Sequence, residues 1–491
     1  MKKQFIIYIL LVFYVTINSS CTKDLKLTPT SIISVNSFWK TPDDAKGGLY
    51  GMYDIFRSLT QANLYLLGEA RSEMMGNGIQ NADYRIKYFE NSLNATNADL
   101  NWYIPYRIVD YANLVIKNVP GITFPTESAK NSILAQAYAM RAYIYFTMAK
   151  TWGDLPILTE PTDGYDAKTT FRLREPVSKI FELIKSDIDQ ALKLFPDSKF
   201  PVGRSTWCKP ATYVLKGDVY LWTGKIMNGG TSDFTTALNA LDSAQTSDIS
   251  LLTNYSDIFS YTNKGNKEVL FAAHFQDLEA NNNYFADMYI APGDIPPTID
   301  QATSAKLGIG GNYNWWAPTA LVRNQFTNDD QRKAASFLEI YSHIGGVDKF
   351  VTSVVLKGNG FIKDGVRRFL CDVIIYRYAE LLLLKAEAEN ALGMDPSVEM
   401  NAVRKRAYGD NFSAHEFVNG SKEVNDEAIL KERLFELAFE GKRWWDLVRF
   451  GKAFEKVPSL QGRQSSSYLL LWPVTQQTIT LNPKIQQTTG Y

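Results

Sequence analysis

Apolar side chains recur along much of this chain at three- and four-residue intervals, the mark of helices that turn one face inward. Over Ser128–Lys150, the residues Ile133, Ala137, Met140, Ile144 and Met148 share a face, and Ala135, Ala139 and Ala142 leave room for a close neighbour. The same period predicts helices over Val177–Leu194, Lys209–Gly224, Asp372–Leu392 and Pro396–Tyr408. From Lys431 to Gly451, Leu434, Leu437, Ala438, Trp445 and Val448 keep the spacing, while Glu432, Glu436, Glu440 and Arg443 set charge beside Trp444 and Trp445. That stretch predicts a helical hairpin or a kinked helix with its ion pairs against aromatic faces.

Several of these helices follow one another as pairs. Ala211, Leu215, Gly217, Val219 and Tyr220 are similar to the first helix of a tetratricopeptide unit, and Ala386, Ala388 and Ala391 again put small residues at packing distance. The predicted class is therefore mainly α, a tetratricopeptide-like scaffold of helix pairs with an irregular, degenerate period. The scaffold takes in about 36–253 and 365–491. Between them, about 254–364 has no sustained period and is rich in Asn, Gly, Tyr and Pro, as at Asn281-Asn282-Asn283-Tyr284 and Gly308 to Pro318. It reads as one large loop-rich insertion, in which Val269–Phe275 and Phe350–Leu356 predict a small sheet. A loop region this long is functional or disordered, and its aromatics favour a binding region.

Lys2 and Lys3 precede an uncharged apolar run, Phe5–Ile17, too short for a bilayer core that takes ~20 residues. Residues 1–20 therefore read as a signal peptide, and Cys21 as the lipidated first residue of one mature domain, 21–491. Cys208 and Cys371 are expected to be small buried hydrophobes and not a bridge. The formal net charge is zero, which suggests no nucleic-acid partner. With 45% hydrophobic and 13% aromatic residues the chain can bury a large core.

Enzyme chemistry finds little support. The histidines are His274, His343 and His415, in unrelated contexts, and no zinc, serine-nucleophile or phosphate-loop motif occurs. No carboxylate pair for glycoside cleavage stands out among 52 acidic residues. The charges of the C-terminal helices read instead as ion pairs on packed faces. Sugar binding asks for flat aromatics beside short polar side chains, and two regions offer both. One is Glu69–Tyr88, with Glu73, Met74, Asn77, Asn81, Tyr84 and Arg85. The other reaches Trp316, with Asn283, Tyr284, Tyr289, Tyr313, Asn314, Trp315 and Trp316. Neighbours in an extended backbone point opposite ways, so one of Trp315 and Trp316 is expected at the surface and the other inside. Trp102 and Tyr106 lie on an apolar helical pattern and read as core.

Four blocks resemble the SusD/RagB family of outer-membrane nutrient-binding lipoproteins. Lys431–Gly451 resembles its ExxFELAFEGxRWxDLxR signature. Arg141-Ala142-Tyr143 to Trp152-Gly153-Asp154-Leu155-Pro156, and Tyr376-Arg377-Tyr378-Ala379-Glu380 with Arg404 to Ala407, are similar to two internal blocks. The end, Trp472-Pro473-Val474 with Asn482-Pro483 and Gly490-Tyr491, is similar to its closing segment, with Thr488-Thr489 in place of the family's last Asn-Pro. The resemblance implies a non-enzymatic protein without cofactor, lipid-anchored on the outer membrane and facing outward. It implies a SusC-like TonB-dependent transporter as partner, and an oligosaccharide ligand, or an oligopeptide as on the RagB side, held by an N-terminal loop and an aromatic loop.

Overall fold

A computed structural model describes residues 38–80, 83–162 and 171–491. The expected signal peptide, Cys21 and Asn81 lie outside the described residues. The principal helices are α1 (Pro42–Gln61), α2 (Tyr103–Asn118), α3 (Glu127–Trp152), α4 (Val177–Leu194), α5 (Lys209–Ile226), α6 (Gly230–Ala244), α7 (Tyr378–Ala391), α8 (Ser397–Tyr408), α9 (Lys422–Leu437) and α10 (Arg443–Arg449). The strands are β1 (Met75–Asn77), β2 (Val269–Ala273), β3 (Trp316–Pro318), β4 (Phe337–Ile344), β5 (Val347–Val355), β6 (Phe361–Lys363), β7 (Val366–Arg368) and β8 (Val373–Arg377).

Local chemistry starts the helices. Thr41 and Asp44 cap α1 reciprocally, the Thr41 hydroxyl accepting from Asp44 N at 3.2 Å and the Asp44 carboxylate from Thr41 N at 2.7 Å. Thr126 caps α3 one way, its hydroxyl accepting from Ala129 N at 3.2 Å. The packing is pairwise: α1 on α2, α2 on α3, α3 on α4, α5 on α6, then α7 on α6, α8 and α9. Glycines set the closest approach. A Cβ at Gly217 would lie 2.5 Å from Leu241, and one at Gly224 would lie 2.4 Å from Phe234, so α6 can sit directly on α5. From Ala139 to Trp152, α3 is buried on every side. Its buried Arg141 is therefore paired, forking onto Asp187 at 2.7 and 2.8 Å. Lys150 lies 4.1 Å from the Trp445 ring centroid, and burial pushes its ammonium down to about 7.

Two expectations need correction. Asp372–Leu392 is not one helix: the β-branched run Val373, Ile374, Ile375 forms β8, and α7 starts only at Tyr378. Nor do the two apolar runs of the insertion share a sheet. The wholly buried β2 pairs with β8, while β5 forms a hairpin with β4 through Gly345 and Gly346, both at positive φ. Among the described residues the four strand pairs are all antiparallel and two-stranded. Cys208 and Cys371 are free and buried, as the sequence suggested.

The kinked C-terminal helix is present as α9 and α10 around a turn at 438–442, with Phe439 and Gly441 at positive φ. Buried Glu69 accepts the N–H groups of Phe439, Gly441 and Lys442 at 2.9, 2.7 and 3.2 Å. Burial pushes its carboxyl up to about 8, against the pull of those donors. A Cβ at Gly68 would fall 1.9 Å from Gly441 O, so the turn docks on the N-terminal region only because residue 68 is glycine, while Gly441 takes a positive φ.

The charges of α9 and its turn form a buried lattice. Arg377 donates to Glu440 at 2.9 Å twice, to Glu268 at 2.8 Å and to the Glu436 carboxylate at 2.6 Å. Arg332 reaches Glu432 at 2.6 Å and Glu436 at 3.2 Å, and Arg406 pairs with Glu268 and Glu436. Lys357 spends its ammonium on Glu440 and on the carbonyls of Glu436 and Ala438, at 2.8 to 3.0 Å. Glu268, Arg332 and Lys357 lie between residues 254 and 364, so these pairs fix that stretch against the helices.

Candidate functional site

The two regions singled out in the sequence meet through β1 and β3, in the register Met75↔Pro318 and Asn77↔Trp316. Gly78 extends the contact, donating to Trp315 O at 3.2 Å; a Cβ there would lie 1.8 Å from Asn314 O, so only glycine permits the approach. Asn314 takes a left-handed φ of 47°, which Asn tolerates better than most residues. Its carbonyl oxygen accepts from Ile79 N at 3.0 Å and from the Thr352 hydroxyl at 2.6 Å, and its amide donates to Ser353 O at 3.0 Å. Asn314 thereby locks the loop.

On this base stands an aromatic platform. Tyr313 and Trp315 lie nearly parallel, 12° apart with centroids at 5.0 Å, and Tyr84 meets Trp315 edge-on at 6.3 Å. Tyr313 is 51% exposed and Tyr84 54%, while Trp315 is half-buried. Beneath them the buried Arg85 guanidinium lies 4.2 Å from the Trp315 centroid and 4.6 Å from that of Trp316. Arg85 also reaches Asp287 at 3.5 Å and Tyr84 Oη at 3.1 Å. Asp287 accepts from the Asn312 amide at 3.1 Å, and its backbone carbonyl receives Trp315 N at 2.8 Å. Burial raises the Asp287 carboxyl above its ordinary range, with Arg85 pulling the other way. Asn77 is exposed beside the strand pair.

The adjacent tryptophans divide as the backbone argument expects, Trp315 toward solvent and Trp316 inside, against Tyr65, Tyr88 and Phe89. Other candidates for ligand contact prove to be buried supports. Tyr284 stacks on Tyr65 at 4.9 Å and donates to Phe439 O; Asn283 donates to Cys371 O at 2.8 Å; Tyr289 donates to Leu307 O at 2.7 Å. Met74 is core, and Glu73 holds Arg443 at 2.6 and 2.9 Å. The buried hydroxyls and amide find partners inside, Met74 has no polar group to satisfy, and Glu73 meets Arg443 through one carboxylate oxygen while the other has no partner among the described residues. Of the remaining candidates, Trp102 is buried and Tyr106 half-buried, donating to Pro156 O at 2.6 Å. Sequence reasoning passed over Asp287 and Asn312, whose roles appear only once Arg85 and Trp315 stand beside them.

Residues 346–491 match the family model described as the SusD family, and residues 48–221 match one described as starch-binding associating with outer membrane. The fold superposes on B. fragilis NanU with a TM-score of 0.85 at 31% identity, covering 95% of this chain and 100% of that one. The chain belongs to the SusD family. Among curated relatives of this SusD-family protein, SusD-like protein P38 of Formosa agariphila is 26% identical over 523 residues, covering 100% of this chain and 99% of the relative. Starch-binding protein SusD of Bacteroides thetaiotaomicron is 23% identical over 458 residues, covering 79% and 77%.

Proposed function

We propose that this protein captures a glycan on the platform of Tyr84, Tyr313 and Trp315 and passes it, without covalent chemistry, to a SusC-like TonB-dependent outer-membrane transporter. The observation that carries the reading is the exposed, rigidly backed aromatic surface: sugar C–H faces stack on such rings, and the exposed Asn77 offers a hydroxyl partner at its edge. The starch-binding description of the matched family model supports a glycan as ligand class. An oligopeptide, the other expectation, would call for free backbone-directed Asn and Arg groups. Here Asn283, Asn314 and Arg85 are spent inside. The test is incubation with a panel of purified polysaccharides and their oligosaccharides, read for both retention and products. Saturable binding with the glycan recovered intact supports the reading; released sugars would make the protein a glycosidase.

The proposal places the protein on the outer membrane through a lipid on Cys21. Among the described residues no helix is long and apolar enough to cross a membrane. Cys21→Ser is therefore expected to move the protein from the membrane to the soluble fraction, since acyl chains on that thiol supply the anchor. Unchanged membrane association of Cys21→Ser in fractionation would remove the anchor from the proposal.

A further inference from the structure

Away from the platform, residues between 254 and 361 line an open cavity of about 560 Å³, within the ~300–1,000 Å³ of ordinary small-ligand sites. Its walls come from 254–262, the end of the short helix Gln301–Leu307, the helix Gln331–Ser336 and the loop 356–361. Phe361 stacks one face on Tyr261, with centroids 4.1 Å apart, and among the described residues no second ring covers it. The loop beneath is held in shape. Gly360 has positive φ, a Cβ there would meet Arg368 O at 1.7 Å, and Arg367 clamps the carbonyls of Asn359, Ile309 and Leu307 at 2.8 to 3.0 Å.

The polar groups of the cavity favour a neutral, hydroxyl-bearing occupant. Asn359 keeps its side-chain amide without a hydrogen bond among the described residues, and lines the cavity. Lys306 spends one donor on Ala334 O at 2.9 Å, and Asp257 is the acidic residue among the lining side chains, so the lining carries a charge of each sign besides Lys357. Lys357, in the wall, is already committed to Glu440 and two carbonyls, so its charge is not offered to a ligand. An aromatic face, a free amide and balanced charge are what a sugar ring needs.

We infer that this cavity is a second carbohydrate site, taking neutral sugar units independently of the Tyr313 and Trp315 platform; this rests on the glycan-binding reading. The test is photolabelling of the full chain with diazirine-bearing maltohexaose and laminarihexaose, followed by peptide mapping. Labelling of peptides from 254–264 or 356–363 is expected, reduced about fivefold by Phe361→Ala and also lowered by Asn359→Ala, while labelling at 312–316 persists. Label confined to 84–85 and 312–316 would overturn the second site and leave the platform standing. Cavity labelling unchanged in both variants would overturn it too, and no labelling anywhere would overturn both readings.

Discussion

Arg377→Met is expected to destabilise the protein by about 3–5 kcal/mol, because it strips the counter-charge from buried Glu268, Glu436 and Glu440 while leaving the carboxylates in place. An exposed ion pair would be worth at most ~1 kcal/mol, so the size of the loss separates a buried lattice from surface decoration. Denaturant unfolding of parent and variant measures it, and a loss under ~1 kcal/mol would contradict the lattice. The same groups set an acid limit. Burial opposes ionisation of Glu436, yet Arg406, Arg377 and Arg332 outweigh it and hold the carboxyl far below the usual range. A carboxyl depressed on folding adds stability above its unfolded value, near 4.5, and that stability is lost as pH falls further. Stability measured downward from pH 5 is expected to drop more steeply in the parent than in Arg377→Met.

Trp316→Ala is expected to cost about 3–5 kcal/mol through the cavity it leaves among Tyr65, Tyr88 and Phe89. Its neighbour behaves otherwise: Trp315→Ala removes a half-buried ring and is expected to melt close to the parent. Thermal melts of the two variants side by side give the comparison. Equal losses would mean that the division of the pair between core and surface is wrong.

How far these features could be read in advance depended on whether the deciding interaction was local. The helix α4 runs over Val177–Leu194, where the period put it, because Ile180, Phe181, Ile184, Ile188, Ala191 and Leu192 turn one face inward, with Asp187 among them paired to Arg141. The kink between α9 and α10 was also legible, since Gly441 and the run of charges sit inside one motif. The strand β8 was not. Its partner β2 lies about a hundred residues earlier, and Val373–Arg377 runs straight into a helix, so the apolar pattern alone could not mark the boundary.

The two stretches that meet at the candidate platform could be picked out in the sequence, but not the direction of their side chains. Asn and Tyr in a loop look alike in sequence whether they face water or the core, and their direction here is set by tertiary events: the register of β1 on β3, the left-handed turn at Asn314, and Arg85 reaching under Trp315. Tyr313 and Tyr284 illustrate it. The first stands 51% exposed on the platform, and the second is sealed beneath Tyr65 with its hydroxyl on Phe439 O.

The central claim is that this platform holds the glycan, and calorimetric titration of Tyr313→Ala and Trp315→Ala with an oligosaccharide retained by the parent tests it most directly. Each variant is expected to lose ~0.5–1.5 kcal/mol of binding beyond the area its ring buries, with a melting temperature near that of the parent. Parent-like affinity in both variants, with either hexasaccharide or polymer, would contradict the claim and remove the 312–316 loop from the binding site.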